Sequence, residues 1–452
     1  MPLSERHQRD LQAGIDALGM KRREIELYWQ YYDDIQPPKY LSEKMQEAFR
    51  GLKDRFSLNL CKLAITTPLN RLWVQGWESP QAKEMWHRLR LDREQKRIYK
   101  HALVAGESYV VGWRGLEGEA PQLAFNDPRI VHLFFRADQP GTKEFAVKVW
   151  QERDETVRGV IYYPDSIVRV VAEQAATEHR DLALQDGPPV ATAVSAGNFE
   201  YDPVDPGGEH AMGEVPVWRF SQDLWQPESR LKDLIPVQDV INKLRSNKMV
   251  AAESGAFPQR VYFTMQDLNA EELRHEPHTS LVLDPGDRES PASVEQFEAA
   301  SLEGYDESIS AEVQNFFTVA HLPRHLLISP GADSSGDAIR SDEGPFQEMV
   351  RDMATNFGYT WADMMSTLTQ SDDEAVTPDW QDSRINNAEA QAREFQALVE
   401  GSMPPAYAAV KAFQWDLEDA REANLLERPV DDSQEDDFGN RERTQTTEDN
   451  PQ

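Results

Sequence analysis

The sequence is poor in cysteine, in long apolar runs and in positive charge. Cys61 is the only cysteine among 452 residues, which excludes an internal disulfide and a zinc site built from several cysteines. No apolar run approaches the roughly 18 residues that a membrane span needs. Residues 1–6 lack the apolar segment of a signal peptide. We therefore expect a protein that is made and used in a reducing cytoplasm, with no membrane partner.

Positive charge is also scarce. Lys and Arg total 47 against 79 Asp and Glu, a formal net charge of −32, and such a surface argues against a conventional DNA-clamping face. Aromatic residues are plentiful, with 11 Trp, 18 Phe and 13 Tyr, so most of the chain can bury a core. The length predicts about three domains, or one elongated subunit of several parts.

Apolar side chains at three- and four-residue spacing predict helices in the first part of the chain and again in the last. The predicted helices are 3–34, 56–74 (kinked or divided at Pro68), 81–91, 93–105 (with Asp92 as N-cap), 227–252 (with Pro236 kinking it or delaying its start), 306–320, 337–368 (kinked at Pro345) and two or three short ones within 385–425, broken at 401–405.

Short segments rich in β-branched and aromatic residues, separated by turn residues, predict an antiparallel meander or sandwich between the helices. They are 108–113, 122–125, 131–136, 145–151, 159–163, 167–171, an edge strand at 215–220 that contains Pro216, and short strands at 260–264 and 280–283. Residues 173–214 are polar and predict a long insertion or loop. Residues 431–452 carry eight acids and two arginines, which predicts a disordered tail.

One segment has the spacing of a phosphate-binding loop. Residues 331–336 read G-x-x-x-x-G, but Asp337 and Ala338 follow where that loop needs Lys and Ser or Thr. An aspartate there would repel phosphates. The pattern therefore favours a flexible loop that ends in a helix N-cap, Ser335 or Asp337.

Metal and catalytic patterns are equally weak. His321 and His325 are four residues apart, but Pro323 lies between them and would break a helix that presented both, so a surface loop is favoured. His275 and His278 lie in a polar loop, and the acidic run 371–374 is most simply solvated surface. No G-x-S-x-G or H-E-x-x-H pattern occurs. We expect no catalytic residue, no metal and no cofactor.

The predicted helix 227–252 is basic in an acidic chain. It carries Arg230, Lys232, Lys243, Arg245 and Lys248. Ordinary helix surface is the simpler interpretation; the alternative is that these side chains meet a polyanion or the acids of a neighbouring subunit. Three apolar residues of the same segment have little to bury against in an isolated rod, which predicts packing on neighbouring subunits: Leu231, Leu234 and Ile241.

The order of these elements resembles that of a tailed-phage portal protein, of the siphophage group that includes Bacillus-phage portals. The likeness covers about residues 25–425 and is carried by the order of several stretches. They are 31–33 with 36–37 and 39–42, 59–63 leading into 76–77, 145–150 with 161–165, and 322–327 followed by 334–340.

The resemblance implies an α+β portal fold with an α/β wing, a two-helix stem, a small α/β clip, a long kinked helix and an α-helical crown. The implied parts are 1–226 wing, 227–255 first stem helix, 256–304 clip, 305–322 second stem helix, 323–336 tunnel loop, 337–379 long kinked helix and wing return, 380–428 crown and 429–452 disordered acidic tail. The insertion 173–214 matches no family element.

The resemblance also implies a function. Portal proteins form a ring, usually of twelve copies, at one capsid vertex, and double-stranded DNA passes through its channel without sequence reading. They dock the terminase large subunit, the major capsid and scaffold proteins and later the head–tail connector or adaptor, and they do not hydrolyse ATP. The implied location is the virion, with assembly in the host cytoplasm. The implied tunnel-loop residues are Ser329, Gly331, Asp333, Ser334, Ser335 and Gly336, and Lys232, Lys243, Arg245 and Lys248 would face the channel or a neighbour.

Two other classes stay open from the residues alone. A soluble acidic metal-dependent hydrolase would be a monomer or dimer and would lose activity on an Asp or Glu change. A capsid-shell or scaffold protein would form shells or sheets rather than a closed ring.

Overall fold

The structure is a computed structural model of the chain. It describes residues 1–36, 58–113, 121–152, 156–172, 195–210, 212–256, 260–263, 286–287, 290–291, 293–296, 301–327, 336–369, 376–381, 388–413, 415, 420–421 and 423. The chain divides into two compact units, residues 1–383 and 384–452.

The first unit mixes helices and strands, as an α+β fold requires. Its helices are α1 Glu5–Asp33, α2 Leu60–Leu69, α3 Pro80–Arg88, α4 Leu91–Ala105, α5 Leu234–Ala256, α6 Glu303–Val319 and α7 Gly336–Thr369. Its strands are β1 Val74–Trp77, β2 Ser108–Trp113, β3 Gln122–Asn126, β4 Val131–Phe135, β5 Lys143–Gln151, β6 Val157–Tyr162, β7 Ser166–Ala172, β8 Glu200–Tyr201, β9 Gly207–Glu209, β10 Val217–Phe220, β11 Arg260–Phe263, β12 Gly286–Asp287, β13 Ser290–Pro291, β14 Ser293–Gln296 and β15 Pro378–Trp380.

The predicted antiparallel meander is confirmed. Strands β4 to β8 follow one another in a sheet that β9 joins alongside β7. A second sheet has the order β10-β2-β3, so β10 is an edge strand, as Pro216 predicted. Two short pairs, β11 with β14 and β12 with β13, occupy the region predicted as the clip, and the predicted strand 280–283 lies outside the described residues.

Helix α1 lies on the meander. The Ser4 hydroxyl caps it by accepting from the His7 amide at 3.3 Å. Its first half buries Leu11 and Leu18 in one core with Val147 of β5. Gly14 allows this close approach, because a Cβ there would lie 2.4 Å from Cβ of Val147.

Several predicted boundaries are wrong. Helix α2 ends at Leu69, and part of the predicted helix is strand β1 instead. Asp92 is not the N-cap of α4, which begins at Leu91 after Arg90 in a left-handed conformation with no side-chain cap. The predicted loop 173–214 contains a 3₁₀ turn at Ala196–Asn198 and strands β8 and β9, which are too short to show alternation.

The apolar residues near the start of α5 pack inside the chain. Leu231, Leu234 and Ile241 are buried and share one core with Phe316 and Phe317 of α6. The expectation that they lack partners without a neighbouring subunit is therefore wrong. Helical spacing identifies an apolar face but does not identify the element that covers it.

Cys61 on α2 is buried in the same core. Burial raises the pKa of its thiol, so the thiolate is disfavoured and the residue behaves as a small apolar side chain.

The described part of the second unit includes the helices α8 Ala388–Glu400 and α9 Pro405–Phe413. The predicted break between them is confirmed at 401–404, where the Met403 amide donates to the Leu398 carbonyl at 3.0 Å. Ala409 of α9 is buried in a small cluster against which Phe395 of α8 packs. The predicted tail 429–452 lies outside the described residues.

Candidate functional site

The predicted tunnel-loop residues fall almost wholly outside the described part of the chain. Ser329, Gly331, Asp333, Ser334 and Ser335 are not described, and Gly336 is the first residue of α7. Their role in a channel, and the phosphate-loop spacing of 331–336, therefore stay predictions. The described site is the framework that holds this segment at both ends.

The two ends are joined through Asp342 of α7. Its Oδ2 accepts hydrogen bonds from the amides of Arg324 and His325, the latter at 3.2 Å. These amides open the 3₁₀ turn Arg324–Leu327, so Asp342 caps that turn from 18 residues further along the chain. This contact joins the turn that precedes residue 328 to the helix that begins at Gly336.

Beside Asp342, Glu343 is a buried carboxylate. Its Oε2 accepts from Nε2 of Gln347 at 3.1 Å. Its Oε1 has no hydrogen-bond partner among the described residues but lies 3.8 Å from both Nη2 of Arg71 and Nε2 of His325. The contact between the 3₁₀ turn and α7 is thus stabilised by charge as well as by backbone hydrogen bonds.

The two histidines of the region do not share a face. His321 adopts a left-handed conformation, φ 50°, two residues past the end of α6. His325 lies in the 3₁₀ turn and is half-buried rather than a surface residue. Across the described residues, no group of His, Cys, Asp and Glu is arranged to hold a metal ion.

Helix α6 ends in a Schellman motif. The Leu322 amide donates to the Phe317 carbonyl at 2.9 Å, and the His321 amide donates to the Thr318 carbonyl at 3.2 Å. Pro323 follows and cannot continue the helix. The chain therefore turns sharply from α6 into the 3₁₀ turn.

Arg230 fastens this turn to the rest of the first unit. Its Nε donates to the Ala64 carbonyl of α2 at 2.8 Å, its Nη2 donates to the Ala320 carbonyl at the end of α6, and its Nη1 lies 2.8 Å from Sδ of Met349 on α7. Burial lowers its pKa to about 10, so the guanidinium stays charged at neutral pH. The Ala320 carbonyl lies at the C-terminal end of α6, which favours a cation. The Ala64 carbonyl lies within α2, where Pro68 four residues later has no N–H to donate to it.

This placement corrects the prediction of a basic rod. Helix α5 begins at Leu234, so Arg230 and Lys232 precede it, and Pro236 lies in its first turn, where proline is tolerated. Lys232 pairs with Glu228 at 2.5 Å.

Three of the predicted basic residues do lie on α5. Lys248 pairs with Asp306 of α6. Lys243 and Arg245 are half-buried and also have interactions within the chain. That these residues face a channel or a neighbour stays a prediction.

Helices α5 and α6 pack on each other, and only their adjoining ends are buried in the core. None of the residues 242–252 of α5 and 303–315 of α6 is buried. The pair therefore projects from the core, and its far half is stabilised by contacts between the two helices such as Lys248–Asp306.

Buried polar contacts also fix the near end of α5. The Tyr31 hydroxyl donates to Oδ1 of Asp239 at 2.6 Å, and Oε1 of Gln238 accepts from the Leu60 amide at 3.0 Å. Like Asp342, Glu343 and Arg71, these residues were missed by the sequence reasoning. Their partners are far away in the chain and leave no local spacing signal.

Among the helices that the structure describes, none combines the length and apolar composition that a bilayer span requires. No curated protein matches the chain.

Solved structures that match the chain at low identity include particle necks. The first, titled "Neck of native GTA particle computed with C12 symmetry", shares 12% identity at TM-score 0.43 and covers 83% of this chain and 94% of that one. The second, titled "Neck of empty GTA particle computed with C6 symmetry", shares 11% identity at TM-score 0.46 over 83% and 95%. The third, titled "Virion of native gene transfer agent (GTA) particle", shares 12% identity at TM-score 0.44 over 83% and 94%.

A family model described as "Phage portal protein, SPP1 Gp6-like" matches residues 78–434. This match covers most of the chain and includes the projecting helix pair and the capped turn at the start of segment 328–335. The chain belongs to the SPP1 Gp6-like phage portal protein family.

Proposed function

We propose that this protein assembles into a closed ring, usually of twelve copies, at one vertex of a phage capsid, and that its central channel carries DNA during packaging and ejection. Family membership supports this function. The observation that carries it is the projecting pair of α5 and α6, fixed at its base by Arg230 and followed by a turn whose amides at 324 and 325 are bonded to Asp342 of α7.

The projecting pair supports a stem. None of the described residues 242–252 of α5 and 303–315 of α6 is buried, so a neighbouring copy can cover these side chains. At the near end of the pair, the aliphatic side chains of Val240 and Val319 are 43% and 46% exposed. In a ring these positions would lie against adjacent subunits, and burial there would stabilise the assembly.

The remaining parts follow the proposed division of the chain. Residues 1–226 form the wing, together with β15, which pairs with β1. The strand pairs β11–β14 and β12–β13 belong to the clip. Helix α7 is the long helix behind the tunnel loop 323–336, and residues 380–428 form the crown.

The net negative charge of the chain is compatible with a channel through which DNA moves. Duplex DNA carries one charge per about 1.7 Å, and six to ten phosphate contacts already give tight binding. A net charge of −32 per subunit would repel the duplex from the walls, so DNA could stay centred and move. Basic side chains of the stem would then act as weak, repeated contacts.

The proposed partners are the terminase large subunit during packaging, the major capsid and scaffold proteins during assembly, and a head–tail connector afterwards. The proposed location is the virion. Portal families are structural rather than enzymatic, so we assign the energy of DNA translocation to the terminase and not to this chain.

The loop is the part whose change tests the channel most sharply. Deleting residues 332–334 removes little apolar surface, so ring mass and thermal stability should stay nearly constant while DNA packaging or retention in assembled heads falls. Asp333→Lys should increase salt-sensitive DNA retention, because each subunit gains one phosphate contact. If both variants package and eject DNA like the parent, the loop does not face the channel.

A further inference from the structure

Helix α4 presents a basic face in this acidic chain. Residues 83–100 contain seven Lys and Arg against three Asp and Glu. Four of these cations lie at positions i, i+3, i+4 and i+7 of α4 and so share one face: Arg93, Lys96, Arg97 and Lys100. We call them the α4 basic stripe.

The stripe faces outward. Arg93, Lys96 and Arg97 are exposed and Lys100 is half-buried. The opposite face of α4 is buried in the core and includes Gln95, whose Oε1 accepts from the Val74 amide at 2.8 Å. The orientation of the stripe is therefore fixed by the packing of the helix.

Aromatic rings hold three of the four cations in place. Nζ of Lys96 lies 5.5 Å from the ring centroid of Trp73, and Cζ of Arg97 lies 4.4 Å from that of Phe125. Nζ of Lys100 lies 5.7 Å from the ring centroid of Trp29. Cation–π contacts fix the side chains but leave the positive charge without a counter-charge.

Carboxylates do little to neutralise the stripe. Arg97 has Glu94 at 3.7 Å. Within the described part of the chain, Arg93, Lys96 and Lys100 have no carboxylate within 4.0 Å. By contrast, Lys21, Lys143, Arg129 and Lys248 each have an acidic partner.

We propose that the α4 basic stripe is one half of the contact between neighbouring subunits, and that it binds an acidic surface of a second copy of this chain. The proposal rests on the ring proposed above. Residues 83–100 carry four more positive than negative charges, so the rest of the chain carries four more negative charges than the total of −32. A second copy therefore offers acidic surface on most of its faces. A basic patch that meets a different, acidic patch makes a head-to-tail contact, which is the kind that closes into a ring.

Two variants of equal charge test this. Arg93→Glu with Lys96→Glu reverses two exposed stripe residues. Arg23→Glu with Arg351→Glu reverses two exposed cations outside the stripe and changes the net charge equally. The stripe variant should need a subunit concentration at least about tenfold higher for half-assembly, since like charges at an interface oppose association. The control should assemble like the wild type. Thermal unfolding of both monomers checks that they fold.

Salt gives a second readout. Because the Debye length falls from about 10 Å at 0.1 M to about 3 Å at 1 M, added NaCl should weaken wild-type assembly. The stripe variant, which lacks the attraction, should show a flatter salt dependence.

Carbodiimide coupling gives the third readout, since it joins a lysine amine only to a carboxylate in contact. Wild-type rings should give covalent dimers on a denaturing gel, with Lys96 or Lys100 linked to acidic peptides. Lys96→Arg with Lys100→Arg keeps the charge, so it should keep the rings and lose those links.

The proposal is overturned if the stripe variant assembles at the same concentration and salt as the control. It is also overturned if that variant keeps its rings but loses salt-dependent DNA binding, which would assign the stripe to DNA. A wild-type chain that never forms rings would overturn the proposed function as well, so the two failures are distinguishable.

Discussion

Nζ of Lys21 on α1 lies 2.5 Å from Oε1 of Glu107, the residue just before β2. The ammonium also donates to the Val131 carbonyl at 2.9 Å and meets Nδ1 of His132 at 3.2 Å, so each of its three hydrogens has an acceptor. The second Glu107 oxygen accepts from the Tyr109 hydroxyl at 2.7 Å. This network joins α1 to both large sheets.

The pair is ionised at neutral pH. Burial alone would raise the pKa of Glu107, but the adjacent Lys21 ammonium outweighs it and lowers that pKa. Burial also lowers the pKa of Lys21. We favour the ionised pair because every hydrogen of the ammonium has an acceptor.

Glu107→Gln should therefore be strongly destabilising. It leaves the Lys21 charge buried without its counter-charge, which costs about 3–5 kcal/mol. Chemical denaturation of the monomer measures this. Asp138→Asn, in the exposed pair with Arg136, is the control and should leave the unfolding midpoint unchanged. A midpoint for Glu107→Gln equal to that of the control would show that the pair does not hold α1 in place.

The stability of the first unit should fall in mild acid. Burial and the Lys21 ammonium lower the pKa of His132 to about 4, and burial lowers that of His101 to about 3. Between pH 6.5 and these values the unfolded chain binds protons that the folded chain does not, so stability decreases as pH falls. For His132 the difference between 6.5 and about 4 corresponds to about 3 kcal/mol.

His132→Asn should flatten this dependence. Asparagine keeps an acceptor for Lys21 but does not titrate. The free energy of unfolding, measured from pH 7.5 to 4.5, should change less with pH than in the wild type, and exposed His87→Asn should behave like the wild type. A variant curve parallel to the wild-type curve would mean that His132 is accessible to protons in the fold.

Two glycines of α1 should respond in opposite directions to alanine. A Cβ at Gly14 would overlap Val147, whereas one at Gly19 meets nothing within 4 Å. Gly14→Ala should cost about 1–3 kcal/mol through overpacking, and Gly19→Ala should add about 0.5–1 kcal/mol of helix stability. Urea denaturation of the two variants checks this. Equal effects would contradict the packing of α1 on β5.

Arg230→Lys should loosen the base of the helix pair. One ammonium cannot reach the carbonyls of both Ala64 and Ala320, so one buried acceptor is left unpaired at a cost of about 1–3 kcal/mol. Hydrogen exchange should rise at the C-terminal turn of α6. Arg351→Lys, on the exposed face of α7, is the control. Unchanged exchange at 316–322 would show that Arg230 does not fasten α6.

Much of the fold was predictable from local pattern. The β-branched and aromatic residues of 108–113 predicted strand β2 with the bounds that it has, and the spacing around Phe357 and Trp361 predicted α7. Boundaries that depend on distant partners were not predictable. The sequence predicted that Leu231 and Ile241 lack partners within the chain. In the fold they share a core with Phe316 and Phe317, which are far away in the sequence.

The candidate site also has features that local pattern predicted and features that it did not. The turn after α6 was foreseen from Pro323, whereas the loop predicted from its glycines lies outside the described residues and stays a prediction. The role of Asp342 depends on its contact with Arg324. The role of Arg230 depends on its contacts with Ala64 and Ala320. No spacing pattern in the sequence predicts these contacts. The order of elements, rather than any single motif, identified the family.

The central claim is that this chain forms a closed ring with a central channel. Its most direct test is electron microscopy of the purified protein together with a solution mass by light scattering. We predict end-on views with cyclic symmetry around a central hole, and a mass near twelve times 51.6 kDa or another ring multiple. A stable 51.6 kDa monomer at all concentrations, or open shells and sheets without a channel, would contradict it.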